Sequence, residues 1–497
     1  MGAVPGYSYR LEDEIREVVR LHQGMTADGL SDDAIRRALS TMRLFKRFCD
    51  STGVDLILPT ATSAVRDAAN GPAFVDQVLD ELGLQLRVID GEREAYYGVI
   101  GALNEVGLRH GCVLDIGGGS AQLSEVRDGR YARGESRTLG ALALTERFVR
   151  QDPPSHREVE ALRAEIDAQL STIPCIAQNR GGPLIGLGGT IRNLAKIEIA
   201  CHECPLNTLH GFVLTRGSVE ASVQLFRENP LAKRREIAGL SRDRGDIILA
   251  GALTVLGVLD RLSLTISTTG LREGVFFEHF WDDLPYPVIL DARRFSVLNV
   301  ARIYRYHESH ANHVRFLAGG LFEQLQPLHG YGAAERELLD AAALLHDVGT
   351  VIAYDGHHRH SETLIQYNGL SGFTRREIAI IALLTRYHRK GMPPREGYES
   401  LLTRADEMLL VRLAAFLRLA EFLDRGRTAT VDDVLVSWDD DFVCLTLIAD
   451  QYPAVEIWET QSNALPLLEK PSVAGRYSTR SPKPPPSPAA APSPIRG

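Results

Sequence analysis

Val113-Leu114-Asp115-Ile116-Gly117-Gly118-Gly119-Ser120 is the stretch on which the reading of this chain turns. An apolar run closes on an aspartate and passes at once into three glycines and a serine. Glycines permit positive φ and carry no Cβ, so successive backbone N–H groups can converge on a phosphate. An aspartate at the end of the preceding strand can hold a magnesium ion, or its waters, against that phosphate. A plain glycine-rich turn would not need strand, acid and turn in this order, so phosphate binding is the stronger reading. Downstream, Ile185-Gly186-Leu187-Gly188-Gly189-Thr190 again follows an apolar run and precedes a helix, whose N-terminus is a natural anion site. A third stretch, Thr269-Gly270-Leu271-Arg272-Glu273-Gly274, sets an arginine between glycines at a strand-to-helix junction.

Around these loops, strand-like runs at Asp55–Pro59, Leu84–Ile89, Cys112–Ile116, Leu123–Val126, Pro183–Leu187 and Leu264–Thr268 alternate with amphipathic stretches such as Asp32–Cys49 and Pro72–Leu82. That alternation predicts layered α/β structure, divided here into 1–110 and 111–290. From 291 to 430 the strand signals vanish. Ala301–Leu325, Glu335–Leu345, Arg375–Tyr387 and Glu407–Leu423 carry a helical period, which predicts an all-helical module. Residues 431–470 hold three more strand-like runs, VLVSW, VCLTLIA and AVEIW. The stretch 471–497 contains eight of the 24 prolines, four basic residues and no acid, and reads as a disordered tail.

Composition sets the outer bounds. The 497 residues carry 55 Lys plus Arg against 64 Asp plus Glu, a net charge of −9, and setting the basic tail aside leaves 51 bases against those 64 acids. This balance argues against a DNA-binding surface or an anionic-membrane partner. It leaves open an anionic ligand held in a local pocket. The opening Met1-Gly-Ala-Val-Pro-Gly-Tyr lacks the basic and apolar regions of a signal peptide, and no apolar run reaches membrane-spanning length. Six scattered cysteines are too few for a disulfide scaffold and point to the reducing cytoplasm. Cys201-His-Glu-Cys204 is a single CxxC without a second pair, read as two ordinary helix cysteines.

The ordered motifs resemble the exopolyphosphatase / guanosine-pentaphosphate phosphohydrolase (Ppx/GppA) family, from about Glu14 to about Arg427. Ala61-Thr62-Ser-Ala-Val-Arg66-Asp67-Ala68 is similar to the family's ATxxxRxA element, Asp90-Gly91-Glu-Arg-Glu94-Ala95 to SGxxEA, and Asp115–Ser120 to DIGGGS. Gly188-Gly189-Thr190 and Gly270-Leu-Arg272-Glu273-Gly274 fit the later GxxGT and GxREG elements. The resemblance implies an α/β, actin/Hsp70/sugar-kinase-like two-domain phosphatase fold followed by an all-helical HD-like domain. It implies removal of terminal orthophosphate from inorganic polyphosphate, guanosine pentaphosphate or both, with Mg2+ as cofactor, and a homodimer. Glu94 would be the catalytic base. Arg66, Gly117, Gly118, Gly119, Ser120, Gly188, Gly189, Thr190 and Arg272 would bind phosphate, and Asp115 would bind the metal.

Two departures stand out. The family's opening strand, DxGSNS-type loop and second strand have no counterpart before Glu14. A start read too far downstream is the favoured account, and loss of half the phosphate clamp the alternative; losing those strands would strip pairing partners from the first sheet and expose an edge. Gln122 stands where the family often has glutamate, which removes a charge from the metal shell. In the helical module, Leu344-Leu-His346-Asp347-Val-Gly349, His358-Arg-His360-Ser361 and Arg386-Tyr387-His388-Arg389-Lys390 match the HD-like domain. An HD-type site would use His313, His346, Asp347 and, in place of the expected aspartate, Glu421, with His357, His358 and His360 extending the shell. Such ligands suit Mn, Fe, Zn or Mg. The competing readings are a kinase of the same fold, a guanosine tetra- or pentaphosphate sensor with a broken site, and an HD-type phosphohydrolase regulated by its N-terminal domains.

Overall fold

The computed structural model describes residues 1–464, apart from 180, 203, 207, 260–262 and 440–442. The tail expected at 471–497 lies outside the described residues. The chain divides into two compact units: residues 1–305 with 363–379, and residues 306–362 with 380 onward.

The first unit is built on a six-stranded sheet. In chain order its strands are β1 (Gly2–Val4), β2 (Ser8–Arg10), β3 (Thr60–Ala61), β4 (Arg87–Val88), β5 (Gly111–Ile116), β6 (Ala121–Arg127), β7 (Arg130–Arg137), β8 (Pro183–Leu187), β9 (Val213–Leu214) and β10 (Ser263–Ile266). The large sheet runs β7-β6-β5-β8-β10-β9. β5, β6 and β7 form an antiparallel meander, whereas β5, β8 and β10 run parallel. Parallel neighbours need crossover connections, and the helices His156–Ser171 and Gly188–Cys201 supply them.

Alternation along β5 sorts its side chains. Cys112, Leu114 and Ile116 face a core made with the helices His156–Ser171, Gly188–Cys201 and Ile248–Leu259. Val113 faces the opposite way, into a cluster with Val99, Ala102 and Leu103 of the helix Gly91–Glu105. The Ile248–Leu259 helix is buried from Ile248 through Val258, which its uniformly apolar sequence requires. Gly91–Glu105 crosses Leu271–Phe280 closely, because a Cβ at Gly274 would collide with the backbone carbonyl of Tyr97. Cys112 and Cys175 are joined as a disulfide within the core, a pairing their sequence spacing did not suggest.

The first subdomain differs from expectation. Of the runs expected as strands, Asp55–Pro59 forms none, and Leu84–Ile89 contributes only β4, which pairs in parallel with the two residues of β3 just beyond Pro59. Residues 55–59 are irregular, and Leu56 and Leu58 stay exposed, because strand formation needs a pairing partner as well as an apolar sequence. The hairpin β1–β2 is held by Tyr9, whose ring meets Phe276, Phe277, Phe280 and Phe295 while Asn299 brackets its backbone N–H and carbonyl.

The second unit is helical, around Glu308–Gln324, Ala333–Leu345 and the deeply buried Arg404–Leu423. β11 (Asp433–Trp438) and β12 (Val443–Ile448) form the antiparallel pair expected there. AVEIW, expected as a third strand, lies in a helix, Ala454–Glu459. Glu456 is buried within it and Pro453 and Thr460 at its two caps, a spacing of three to four that belongs to a helix face.

Candidate active site

Three loops leave the carboxyl ends of the parallel strands β5, β8 and β10, the edge at which open α/β sheets bind ligands. Register sets Asp115 beside Leu187, so Gly117–Ser120 and Gly188–Thr190 emerge side by side. Gly117 N–H donates to Ser120 O, and Gly118 O accepts from Leu142 and Ala143 at the start of the next helix. Among the described residues, nothing accepts from the N–H groups of Gly118 and Gly119. Gly188 has φ +91, and a Cβ there would lie 2.6 Å from Ile116 O and 2.8 Å from Asp115 Oδ1. Only glycine lets the two loops approach this closely.

Because Asp115 shares its face of β5 with Val113, it turns toward the helix Gly91–Glu105, which carries Glu94 in its first turn. That helix starts there because Asp90 accepts from the Arg93 N–H at 2.7 Å and its first turn is acidic. Arg66 Nη1 donates to Glu94 Oε2 at 3.1 Å and to Ile89 O at 3.0 Å. Burial pushes the Glu94 carboxyl above the usual range, Arg66 pulls it back, and Asp115 and Asp67 add to the upward push. Burial likewise takes Asp115 to about 6, opposed by Arg192 and reinforced by Glu273. Neither hydrogen bond nor ion pair from a described residue reaches the Asp115 carboxylate.

The far end of the same helix fixes the third loop. Glu105 accepts from the N–H groups of Thr268 (2.6 Å) and Thr269 (3.0 Å) and from the hydroxyls of Ser267 and Thr268. His210 Nδ1 lies 3.2 Å from Glu105, and its Nε2 lies 3.0 Å from Phe373 O. Both of those oxygens can only accept, so both ring nitrogens carry protons and His210 is an imidazolium. Burial alone would raise Glu105, but His210 and the two hydroxyls hold it down at about 2.

The phosphate residues expected from the sequence contribute unequally. Thr190 is 1% exposed, with its hydroxyl turned toward Gly251, so it offers its N–H and not its side chain. Arg272 is tied to Glu273 at 2.5 Å and to Glu14. Gln122 donates to Ser120 Oγ at 2.8 Å and to Ser136 Oγ at 3.3 Å, which leaves the Ser120 hydroxyl proton free to donate. Sequence reasoning missed two residues. The Arg244 guanidinium lies over Gly189, and its surroundings of Arg192, Arg16 and Arg20, added to burial, hold its pKa below the usual value. No described residue hydrogen-bonds that guanidinium. His22 lies against Gly119, with Nε2 3.4 Å from Ser63 Oγ. Arg244 closes a single 3-10 turn, Arg242–Arg244, and His22 lies in a turn; both are far in sequence from the glycine motifs, so no local pattern marked them.

In the second unit His346, Asp347 and Glu421 are brought together, with Glu421 Oε2 3.1 Å from His346 Nε2. His313 is not with them: its Nε2 is 2.8 Å from Val431 O. His310, three residues earlier on the same helix, takes the place expected for His313: its ring nitrogens meet Asp424 and Glu421, whereas that of His313 meets Val431 O. His358 and His360 belong to neither cluster of possible metal ligands among the described residues, whereas His357 and His388 belong to one. The cysteines of the CxxC are in neither, and Cys204 Sγ receives Arg375 Nη2 at 2.8 Å.

Residues 9–281 match the Ppx/GppA phosphatase family, and residues 292–452 match the Ppx/GppA phosphatase, domain III. Among solved structures, an exopolyphosphatase from Cytophaga hutchinsonii is 26% identical with a TM-score of 0.50, covering 53% of this chain and 88% of that one. An Aquifex aeolicus Ppx/GppA family member is 28% identical with a TM-score of 0.46, over 54% of this chain and 88% of its own. The first match alone spans more than half the sequence and contains all three loops and both carboxylates. With its mixed α/β architecture and a helical C-terminal part, this chain belongs to the Ppx/GppA phosphatase family.

Proposed function

We propose that the first unit releases terminal orthophosphate from inorganic polyphosphate or guanosine pentaphosphate. The observation that carries this reading is the meeting, at one sheet edge, of two glycine loops, two carboxyls raised by burial and an arginine that no described residue hydrogen-bonds. A terminal phosphoryl group fits between Gly117–Ser120 and Gly188–Thr190, its oxygens receiving backbone N–H groups and the Ser120 hydroxyl while Arg244 neutralises charge. The unpartnered Asp115 carboxylate suits a Mg2+ ion, which when bound neutralises phosphate charge. Glu94, partly buried and oriented by Arg66, takes a proton from water as the water oxygen adds to phosphorus. The bond from phosphorus to the bridging oxygen then breaks, and the shortened chain leaves on that oxygen.

Glu94→Gln tests this directly. Phosphate release should fall by roughly 10²–10⁴-fold, with the thermal melt unchanged. Full activity in that variant would exclude Glu94 as the base. Comparing polyphosphate with guanosine pentaphosphate on the wild-type chain identifies the substrate.

A further inference from the structure

Histidines of the second unit turn Nε2 into a shared buried space with their other nitrogen already committed. Nδ1 of His346, His357 and His388 each lies 2.7 Å from a backbone carbonyl, those of Ala343, Tyr354 and Thr385. A carbonyl only accepts, so each Nδ1 carries the proton and the neutral ring presents a lone pair at Nε2. Yet His357 Nε2 lies 3.4 Å from His388 Nε2, and His346 Nε2 lies 3.3 Å from His310 Nε2. Lone pairs at that range repel unless a proton or a cation stands between them.

Carboxylates complete the arrangement. Asp347 Oδ1 is 3.2 Å from His357 Nε2 and 3.8 Å from His388 Nε2, while its Oδ2 is 3.7 Å from His346 Nε2 and 4.0 Å from His310 Nε2. Glu421 Oε2 is 3.1 Å from both His310 and His346. His310 donates from Nδ1 to Asp424 Oδ2 at 2.7 Å. Asp347 is 6% exposed, and its Oδ1 accepts no hydrogen bond despite these neighbours. Arg427 shares Asp347 Oδ2 with the histidines, and Arg425 comes within 3.6 Å of the outer oxygen, Glu421 Oε1. A proton shared by His310, Asp424 and Glu421 would satisfy one side as an ordinary ion pair. It does nothing for the side made by His357, His388 and the unpartnered Oδ1.

We propose that the second unit binds two divalent transition-metal ions bridged by Asp347. One ion takes His310, His346, Glu421 and Asp347 Oδ2. The other takes His357, His388 and Asp347 Oδ1. Metal–ligand bonds of about 2.0–2.2 Å put neighbouring ligands about 3 Å apart and opposite ones about 4 Å apart, which matches the observed spacings. Imidazole-rich sites with carboxylates favour manganese, iron or zinc over magnesium or calcium. The fixed Nδ1 partners are the outer hydrogen bonds that orient metal-binding histidines. Four and three protein ligands leave coordination positions open to water, as in reactive sites more than structural ones. The site is independent of the phosphate reading of the first unit.

The test strips the full-length chain with chelator, reloads it with Mn2+, removes free metal by gel filtration and measures bound metal and its electron-spin resonance. Two equivalents per chain and the spin-coupled signal of a manganese pair are expected. His388→Ala should leave one equivalent without coupling, and Asp347→Asn should lose the coupled signal. His313→Ala and the first-unit variant Asp115→Asn should keep both ions. Wild-type chain that retains one equivalent or none, or an uncoupled signal at two equivalents, would overturn the proposal. Circular dichroism on each variant checks folding. If Asp347→Asn does not fold, the wild-type stoichiometry and the His357→Ala and His388→Ala pair decide.

Discussion

Glu105→Gln separates positioning from chemistry at the far end of the helix that carries Glu94. The carboxylate is buried, holds the backbone of Thr268 and Thr269, and pairs with the imidazolium of His210. Two routes give the size of the effect. A carboxyl held at about 2 in place of its ordinary 4.5 corresponds to on the order of 3 kcal/mol of stability. Removing one member of a buried ion pair costs about 3–5 kcal/mol. For the roughly 320 residues of the first unit, entropy scaling converts this to a melting shift of about 4–8 °C. The carboxyl is lowered on folding, so its contribution is complete above 4.5 and is lost as pH falls toward 2. His210 is raised, so its contribution is complete below its ordinary 6.5 and is lost as pH rises through its folded value. Both are therefore fully present between 4.5 and 6.5. Calorimetric melts of wild type and Glu105→Gln should differ most near pH 5.5, and the gap should shrink by about two fifths at pH 3.5. A difference under about 1 °C at pH 5.5, or a gap that does not narrow on acidification, would refute the assigned charges.

Two further outcomes concern the candidate active site. Arg244→Ala removes a guanidinium that no described residue hydrogen-bonds, so stability should hold while kcat/KM for phosphate release falls about 10–150-fold, the value of one or two charge-assisted contacts; steady-state kinetics beside a melt checks this. Because burial raises Glu94, the acidic limb of the kcat/KM profile should lie above the usual carboxylate range, activity falling as pH drops through it, and Glu94→Asp should displace that limb.

Much of the framework was legible because it rests on local order. The runs at Cys112–Ile116, Leu123–Val126 and Pro183–Leu187 appear as β5, β6 and β8, since an apolar strand ending in glycines leaves few alternatives. β7, Arg130–Arg137, was not foreseen, because its sequence is largely polar and β6 templates it. Asp55–Pro59 misled for the reverse reason: its sequence suits a strand, but the described partners pair with only two residues beyond it. At the glycine loops the residue types announced an anion site. They did not show that the Thr190 hydroxyl is spent on packing or that Gln122 supports Ser120.

The sequence by itself determined the family, the three loops and the glutamate at the start of its helix, because these depend on glycine, charge and order along the chain. Only the tertiary structure decided which distant residues serve them. Arg244 reaches Gly189 from a short 3-10 turn, and His310 takes the place of His313, three residues along the same helix. Asp347 stands between two groups of histidines drawn from four separate segments. Contacts between remote segments are set by packing, and packing leaves no periodic mark on the chain.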